Sequence, residues 1–213
     1  MHFKDFLLLV PKIKQAPLAK EKSHLKMIPP NRKMDFLRNK IGKKPRESAV
    51  LCLFYPNAQQ ETEFVLILRK TYQGVHSAQI GFPGGKIEKE DSNMEQAALR
   101  ETEEEIGVYR RDVTVFKTMS SVYIPPSNFM VFPFLGFLEQ EPIFKKDDYE
   151  VEKIIRMPLK ELLKQDNTTN KQVQTSYGIA IEVPLFVLQD IEVWGATAMM
   201  LSEIKDLFNT EKH

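Results

Sequence analysis

The chain has 213 residues, of which 42% are hydrophobic and 28% are charged, and its formal net charge is +1. This composition is ordinary for a globular protein, and the length fits one domain with extensions. A net charge this small provides no field that would recruit nucleic acid or an anionic membrane, so we expect neither as a partner. The single cysteine, Cys52, excludes an internal disulfide and predicts a cytoplasmic protein.

The N-terminal segment differs from the rest of the chain in being basic and interrupted by prolines. We therefore predict an N-terminal extension over residues 1–46 and a main domain over residues 47–213. Within the extension, the pattern indicates short helices over residues 3–10 and 31–41.

The first ten residues include an apolar stretch that is similar to the core of a signal peptide. Asp5, the early Pro11 and the lack of a small-residue cleavage site argue against secretion. No apolar run approaches the roughly 18 residues that a membrane span needs. We expect this segment to be a helix that packs on the domain or on a partner subunit, so a homodimer stays open.

The main domain alternates between strand and helix patterns. Strands are predicted over residues 48–55, 63–69, 113–122, 130–139 and 151–156, with a hairpin over 173–183. Residues 71–85 are predicted to be a loop with one short strand, 159–163 a short helix and 192–208 a closing amphipathic helix. Helices spaced among six or more strands predict an α+β fold, in which helices cover both faces of a sheet.

A helix with clear boundary signals lies in the middle of the chain. Ser92 followed by Glu95 fits a capping box at its start, and Gly107 is predicted to end it. We expect Leu99, Thr102 and Ile106 to face the core.

The glutamates of this helix carry the strongest functional signal. Glu101, Glu104 and Glu105 lie within an arc of about 100° on a helix, where like charges repel each other. They also lie near the negative end of the helix dipole. A stretch that collects anions against both penalties predicts a bound cation, and hard oxygen ligands suit Mg²⁺ or Mn²⁺. The alternative is a solvated acidic face, which is the usual role of a charge run.

Neighbouring small residues favour a site over a solvated face. The pair Gly84-Gly85 precedes the helix and can bring backbone close to a ligand. Ala97 and Ala98 are expected to leave room beside the carboxylates.

The same segment resembles the sequence motif of the Nudix superfamily. The resemblance rests on Gly85, Asp91 and the run Arg100-Glu101-Thr102-Glu103-Glu104-Glu105-Ile106-Gly107-Val108. Asp91 stands where Glu is usual, one extra residue lies between Asp91 and Arg100, and Thr102 occupies the position of a bulky aliphatic residue.

The residues upstream of the motif resemble those of one branch of the superfamily. Leu66-Ile67-Leu68-Arg69, followed by His76-Ser77-Ala78-Gln79-Ile80-Gly81-Phe82-Pro83-Gly84-Gly85, is similar to the additional signature of coenzyme A pyrophosphatases. Lys70, Gln73-Gly74 and Ala78 depart from that signature. The resemblance implies substrate contacts at Arg69, His76, Gln79, Gly84 and Gly85; for Arg69 the alternative is a surface charge at the end of a strand.

The Nudix resemblance implies an αβα sandwich with a mixed sheet and a metal-dependent pyrophosphohydrolase. The implied metal ligands are Glu101, Glu104, Glu105 and the carbonyl oxygen of Gly85. The implied catalytic residues are Glu104, Arg100 and Glu150. In these roles Arg100 holds Glu104 in ligand geometry. The general base is either one of the glutamates of this helix or an acid from a distant segment, for which Glu150 is our candidate and Glu152 the local alternative.

Three functions remain open from the sequence. The first is hydrolysis of coenzyme A or its derivatives to 4′-phosphopantetheine, or its acyl form, and adenosine 3′,5′-bisphosphate. The second keeps this chemistry with another nucleoside diphosphate derivative, such as ADP-ribose or a dinucleotide. The third is a Nudix module that binds a nucleotide without catalysis, against which the retained Glu101, Glu104 and Glu105 argue.

Overall fold

The structure is a computed structural model that describes residues 1–30, 33, 44–70, 79–174 and 180–210. Over these residues the helices are α1 (Phe3–Gln15), α2 (Glu21–His24), α3 (Met94–Ile106), α4 (Leu159–Leu163) and α5 (Gly195–Thr210). The strands are β1 (Arg46–Pro56), β2 (Thr62–Arg69), β3 (Ile80–Gly81), β4 (Gly84–Lys86), β5 (Thr114–Thr118), β6 (Val122–Ile124), β7 (Phe129–Phe137), β8 (Val151–Pro158), β9 (Thr168–Gln174), β10 (Ala180–Leu188) and β11 (Ile191–Trp194).

The larger sheet is mixed. Its strands follow the order β3-β2-β1-β7-β5, while β4 pairs with β1, β6 with β7 and β8 with β2. Strands β1 and β7 run parallel, and β1 pairs antiparallel with β2 and β4. Strands β9 to β11 form a separate antiparallel sheet.

Helices cover both faces of the larger sheet. Side chains of β1 alternate between two buried clusters, because successive residues of a strand point to opposite faces. Leu51 and Leu53 pack on the side of α3, whereas Cys52 and Phe54 pack on the side of α1 and α5. This arrangement confirms the predicted αβα sandwich with a mixed sheet, and it places Cys52 in the core as a free thiol.

The α3 side of the core is more filled than the sequence suggested. Ala97 and Ala98 are fully buried in this cluster, together with Leu99 and Ile106. The expectation that the two alanines leave open space beside the carboxylates is therefore wrong, since they face the sheet.

Helix α1 is longer than predicted and contributes to the core. It continues past Pro11 to Gln15. Pro11 is exposed and lacks the N–H that would donate to the carbonyl oxygen of Leu7, four residues earlier in the helix. Phe6 is fully buried, with its ring centroid 5.0 Å from that of Phe54 and 6.1 Å from that of Phe208.

Two predicted elements are divided in the structure. The strand predicted over 113–122 forms as β5 and β6, because Ser120 between them turns its N–H and hydroxyl toward Glu203. The helix predicted over 192–208 begins only at Gly195, since Ile191–Trp194 pairs with β10 as a strand.

The remaining predictions fall partly outside the described residues. The hairpin predicted over 173–183 is confirmed as β9 and β10, with its connection outside the description. The helix predicted over 31–41 lies outside it apart from one residue. Of the segment 71–85, only residues 79–85 are described; there the chain forms β3 and begins β4, where one short strand was predicted. No described helix is long and apolar enough to cross a membrane.

Candidate metal centre

Helix α3 carries the predicted carboxylates and has well-defined ends. Its N-cap is Asn93, whose side-chain oxygen accepts a hydrogen bond from the N–H of Gln96 at 2.9 Å. The predicted cap at Ser92 is thus wrong by one residue. Gly107 ends the helix in the left-handed conformation with φ 73°, as predicted.

Three carboxylates meet at one place in the structure. Glu101 and Glu105 lie one turn apart on α3, and Glu150 lies in the turn that precedes β8. One oxygen from each of the three lies within 4.8 Å of the others. Glu105 is buried, Glu101 is half-buried and Glu150 is exposed, so the group is open to solvent on one side.

Glu105 is held from two sides. Its Oε1 accepts a hydrogen bond from Nη1 of Arg69 at 2.7 Å, and its Oε2 accepts one from the N–H of Gly84 at 2.7 Å. Nη2 of Arg69 also donates to the carbonyl oxygen of Gly84 at 2.5 Å. Burial raises the pKa of Glu105 to about 7, although Arg69 and the Gly84 N–H oppose the rise. The negative charge of Glu105 is therefore stabilised only in part.

Glycines make the close approach between α3 and β4 feasible. A Cβ atom at Gly85 would lie 2.3 Å from the carboxylate carbon of Glu101. A Cβ atom at Gly84, whose φ is 146°, would lie 2.3 Å from the carbonyl oxygen of Ala49. The glycine pair thus brings backbone against the carboxylates, as the sequence predicted. Burial also raises the pKa of Glu101, against the influence of Arg100.

Arg100 uses all five of its N–H donors. Nε and Nη2 donate to the two oxygens of Asp91 at 3.0 and 2.9 Å, and Nη2 also donates to the carbonyl oxygen of Lys86 at 3.0 Å. Nη1 donates to Glu101 at 3.1 Å and to Glu104 at 2.9 Å. The bidentate contact with Asp91 fixes the guanidinium, which in turn orients both glutamates.

Glu104 occupies a different position from the other predicted ligands. Its side chain is 57% exposed and pairs with Arg100, and it is not part of the group of three carboxylates. The contact by which Arg100 was expected to hold Glu104 is present. The role of Glu104 as a ligand stays a prediction.

The donor set fits a hard divalent cation. Carboxylate oxygens are the ligands that Mg²⁺ and Mn²⁺ prefer. The raised pKa values of Glu101 and Glu105 show that burial disfavours their negative charge, which a cation would compensate. Among the residues that the structure describes, this is the one group of three such side chains with converging oxygens.

The structure describes Arg69 and Gln79 among the predicted substrate contacts, but not His76. The backbone of Gln79 is paired with Arg69, whose N–H donates to the Gln79 carbonyl at 3.1 Å. His76 lies outside the described residues. Arg69 contacts Glu105 and Gly84, a pairing that sequence reasoning missed because the two charged residues are 36 positions apart. A usable signal was the position of Glu105 three residues after Thr102, which was expected to face the core, because residues three apart lie on neighbouring parts of a helix surface.

A known protein family matches much of this chain. A family model described as the NUDIX domain matches residues 45–176. Nudix hydrolase 3 of Caenorhabditis elegans is 27% identical over 162 residues, which cover 69% of this chain and 67% of that protein. The mitochondrial coenzyme A diphosphatase NUDT8 of Homo sapiens is 29% identical over 128 residues, which cover 60% of this chain and 54% of that protein.

A solved structure shows the same fold. The Nudix hydrolase RenU from M. smegmatis superposes with a TM-score of 0.54 at 15% identity, covering 78% of this chain and 87% of that one. The chain spans little more than half the length of the human relative, so the relatives' whole-protein activities do not transfer directly. The family model, in contrast, matches more than half of this chain, and the protein therefore belongs to the Nudix family.

Proposed function

We propose that this protein hydrolyses the pyrophosphate bond of coenzyme A or its derivatives with the help of Mg²⁺ or Mn²⁺. The products are 4′-phosphopantetheine, or its acyl form, and adenosine 3′,5′-bisphosphate. The proposal rests on the convergence of the carboxylates of Glu101, Glu105 and Glu150. Glu101 of this group lies close to the backbone of Gly85.

These three glutamates would hold the cation. When bound, a divalent cation supplies neutralisation of the negative charge on the pyrophosphate and activation of a water molecule. Arg69 keeps the Glu105 carboxylate in place through its 2.7 Å hydrogen bond, and the N–H of Gly84 fixes the second oxygen. We propose Gly85, whose backbone touches Glu101, as a further oxygen donor.

Glu150 is also our candidate for the proton acceptor, since a carboxylate that holds a cation with one oxygen keeps its second oxygen for a proton. It is the exposed member of the three carboxylates, so an attacking water molecule can reach it. Glu152, the alternative from the sequence, is not part of this group. Arg100 has the supporting role of holding Glu101 and Glu104 with one nitrogen atom.

The choice of coenzyme A rests on two supports. Arg69, Gln79, Gly84 and Gly85 occupy positions of the coenzyme A pyrophosphatase signature in this chain. The human relative is named a coenzyme A diphosphatase. We propose His76 and Gln79 as contacts of the pyrophosphate or of the adenosine portion of the substrate.

A product assay tests the substrate. The purified protein is incubated with Mg²⁺ and either coenzyme A, ADP-ribose or NADH, and the phosphate monoesters are identified by mass spectrometry. We expect the highest kcat/KM with coenzyme A. Preferential turnover of ADP-ribose or NADH would replace the substrate while keeping the chemistry, and no turnover of any pyrophosphate would favour a binding module.

A matched pair of variants tests the metal assignment. Glu101→Gln removes one carboxylate of the group, whereas Glu103→Gln removes a carboxylate of the same helix that pairs with Arg110 instead. We expect Glu101→Gln to lower kcat by about 100-fold or more and Glu103→Gln to keep the wild-type rate. Equal rates in both variants would remove Glu101 from the site.

The domain division, the homodimer and the cellular location remain proposals or predictions. We propose that residues 1–46 form an extension that packs on the domain of residues 47–213, supported by the buried Phe3, Phe6 and Ile13 of α1. The homodimer and the cytoplasmic location stay predictions, and the human relative is named as mitochondrial.

A further inference from the structure

We propose that Asp147 is a positioning residue that holds Glu150 beside Glu101 and Glu105. The inference rests on the function proposed above, in which these three carboxylates hold a divalent cation. Glu101 and Glu105 are fixed by the rigid helix α3, but Glu150 is exposed and lies in a turn. A carboxylate in such a place needs a local restraint to stay close to the other two.

The side chain of Asp147 provides that restraint. Its Oδ1 accepts a hydrogen bond from the N–H of Tyr149 at 2.8 Å and another from the N–H of Glu150 at 2.9 Å. An aspartate that accepts from the backbone two and three residues ahead closes the turn on itself. The direction in which the Glu150 side chain leaves the backbone is thereby set by Asp147.

The backbone of Asp147 ties the turn to the metal-binding helix. Its N–H donates to the carbonyl oxygen of Glu105 at 2.9 Å, and its own carbonyl accepts from the N–H of Val151 at 3.1 Å. On the far side, the carbonyl oxygen of Glu150 accepts from the N–H of Lys70 at 2.9 Å. Asp147 therefore connects Glu105, one member of the carboxylate group, to Glu150, another member.

A glycine allows this segment to lie so close to α3. The N–H of Lys145 donates to the carbonyl oxygen of Ile106 at 3.0 Å. A Cβ atom at Gly107 would lie 2.9 Å from both the Cβ atom and the carbonyl oxygen of Lys145. The end of the helix is thus shaped to receive the segment that presents Glu150.

The neighbouring Asp148 offers a matched control. Its side chain is 80% exposed and pairs with Lys146. Removing the carboxylate of Asp148 takes the same charge from the same turn, but it leaves both hydrogen bonds of Asp147 in place. A general effect of negative charge near the cation would appear in both variants, whereas positioning would appear only at Asp147.

The test measures Mn²⁺ binding by electron paramagnetic resonance of the free ion, with thermal unfolding as a check on the fold. We expect Asp147→Ala to weaken Mn²⁺ binding by roughly 10-fold, as loss of an outer hydrogen bond to a ligand commonly does. Asp147→Asn keeps the accepting oxygen and should restore most of the affinity. Asp148→Ala should bind Mn²⁺ like the wild type.

A double variant shows whether Asp147 acts through Glu150. Glu150→Gln should itself weaken Mn²⁺ binding, and adding Asp147→Ala to it should cause no further loss. Wild-type affinity in Asp147→Ala, an equal loss in Asp147→Asn, or an additive loss in the double variant would each overturn the positioning role alone. Wild-type affinity in Glu150→Gln would instead remove Glu150 from the metal centre, and the positioning role with it.

Discussion

Two buried glutamates of this protein, Glu105 and Glu203, have opposite electrostatic surroundings. Both lie on helices and both are about 1% exposed. The pKa of Glu105 is raised to about 7, mainly by burial. Burial acts on Glu203 in the same direction, but the nearby imidazole of His24 and the hydrogen bonds from Ser120 outweigh it and hold its pKa below the ordinary value of 4.5.

The donors around Glu203 explain its lowered pKa. The N–H of Lys20 donates to Oε1 at 2.7 Å, and the hydroxyl and N–H of Ser120 donate at 2.6 and 3.1 Å. Nε2 of His24 lies 3.7 Å from Oε2. These partners come from residues 20–24 and from the segment between β5 and β6, so Glu203 joins three parts of the fold through α5.

Glu105 has fewer donors and a different kind of neighbour. Arg69 and the N–H of Gly84 satisfy its oxygens, but the carboxylates of Glu101 and Glu150 converge on the same place. Like charges that lie close together destabilise a folded protein, and they are typical of sites that bind a cation. A buried carboxylate surrounded by donors thus indicates a structural role, and one surrounded by carboxylates indicates a functional role.

The largest effect is expected for Glu105, the glutamate to which we assign a functional role. Glu105→Gln should lower kcat by about 100-fold or more, because it removes one charge from the proposed metal centre. Its free energy of unfolding should change by less than about 1 kcal/mol, since relief from charge burial offsets the loss of one hydrogen bond. Steady-state kinetics with coenzyme A and denaturant unfolding measure the two quantities, and a large loss of stability with normal kcat would reverse the assignment.

The second prediction concerns Glu203, the glutamate to which we assign a structural role. Glu203→Gln should lower the free energy of unfolding by about 1–3 kcal/mol, because donors that now face a carboxylate would face an amide. The kcat of the folded enzyme should stay at the wild-type value. Glu192→Gln, which removes an exposed partner of Lys171, is the control and should change stability by less than about 1 kcal/mol.

The effect of Glu203→Gln should also depend on pH. The folded pKa of Glu203 lies below its unfolded value, so the carboxylate stabilises the protein fully above pH 4.5. That contribution is lost as the pH falls through the folded pKa, and the stability of wild type and variant should converge there. Urea unfolding at a series of pH values measures this; a difference that grows toward acid would contradict the lowered pKa.

A third prediction compares the kcat of two glycine variants, one beside the carboxylate group and one away from it. Gly85→Ala would place a Cβ atom 2.3 Å from the Glu101 carboxylate, whereas a Cβ atom at Gly81 has Thr197 Oγ1 as its nearest neighbour at 3.7 Å. Because Glu101 must move, kcat should fall by about 10-fold in Gly85→Ala, a loss in the range expected for a displaced catalytic group. Gly81→Ala should keep the wild-type kcat, and equal losses in both variants would mean that the close approach at Gly85 is unimportant.

The smallest expected effect concerns Glu104. It pairs with Arg100 at 2.9 Å outside the group of three carboxylates, so Glu104→Gln should lower kcat by less than Glu101→Gln does, by about 10-fold at most. Parallel kinetics over a range of Mg²⁺ concentrations measure both variants. An equal loss would mean that Glu104 joins the group when the cation is bound.

Patterns that are local in sequence predicted the fold well. The α3 helix, its end at Gly107 and the short helix Leu159–Leu163 follow from periodicity and from residues that stop helices. The break between β5 and β6 did not follow, because it depends on the hydrogen bonds of Ser120 to the distant Glu203. The strand Ile191–Trp194 was assigned to a helix, since only its pairing with β10 makes it extended.

The candidate site shows the same division. The helix face of Glu101 and Glu105 was visible in the sequence from the spacing alone. The contacts between Arg69 and Glu105, and between Arg100 and Asp91, join separate elements and appear only when the chain is folded. Tertiary contacts of this kind decide which of the predicted glutamates converge.

The most direct test of the metal centre is an anomalous difference map from crystals of the protein grown with Mn²⁺. We expect a peak that is bound by oxygens of Glu101, Glu105 and Glu150, and no such peak in crystals of Glu105→Gln. Mn²⁺ bound elsewhere in the wild-type protein, with these three carboxylates left without a cation, would contradict the proposed centre.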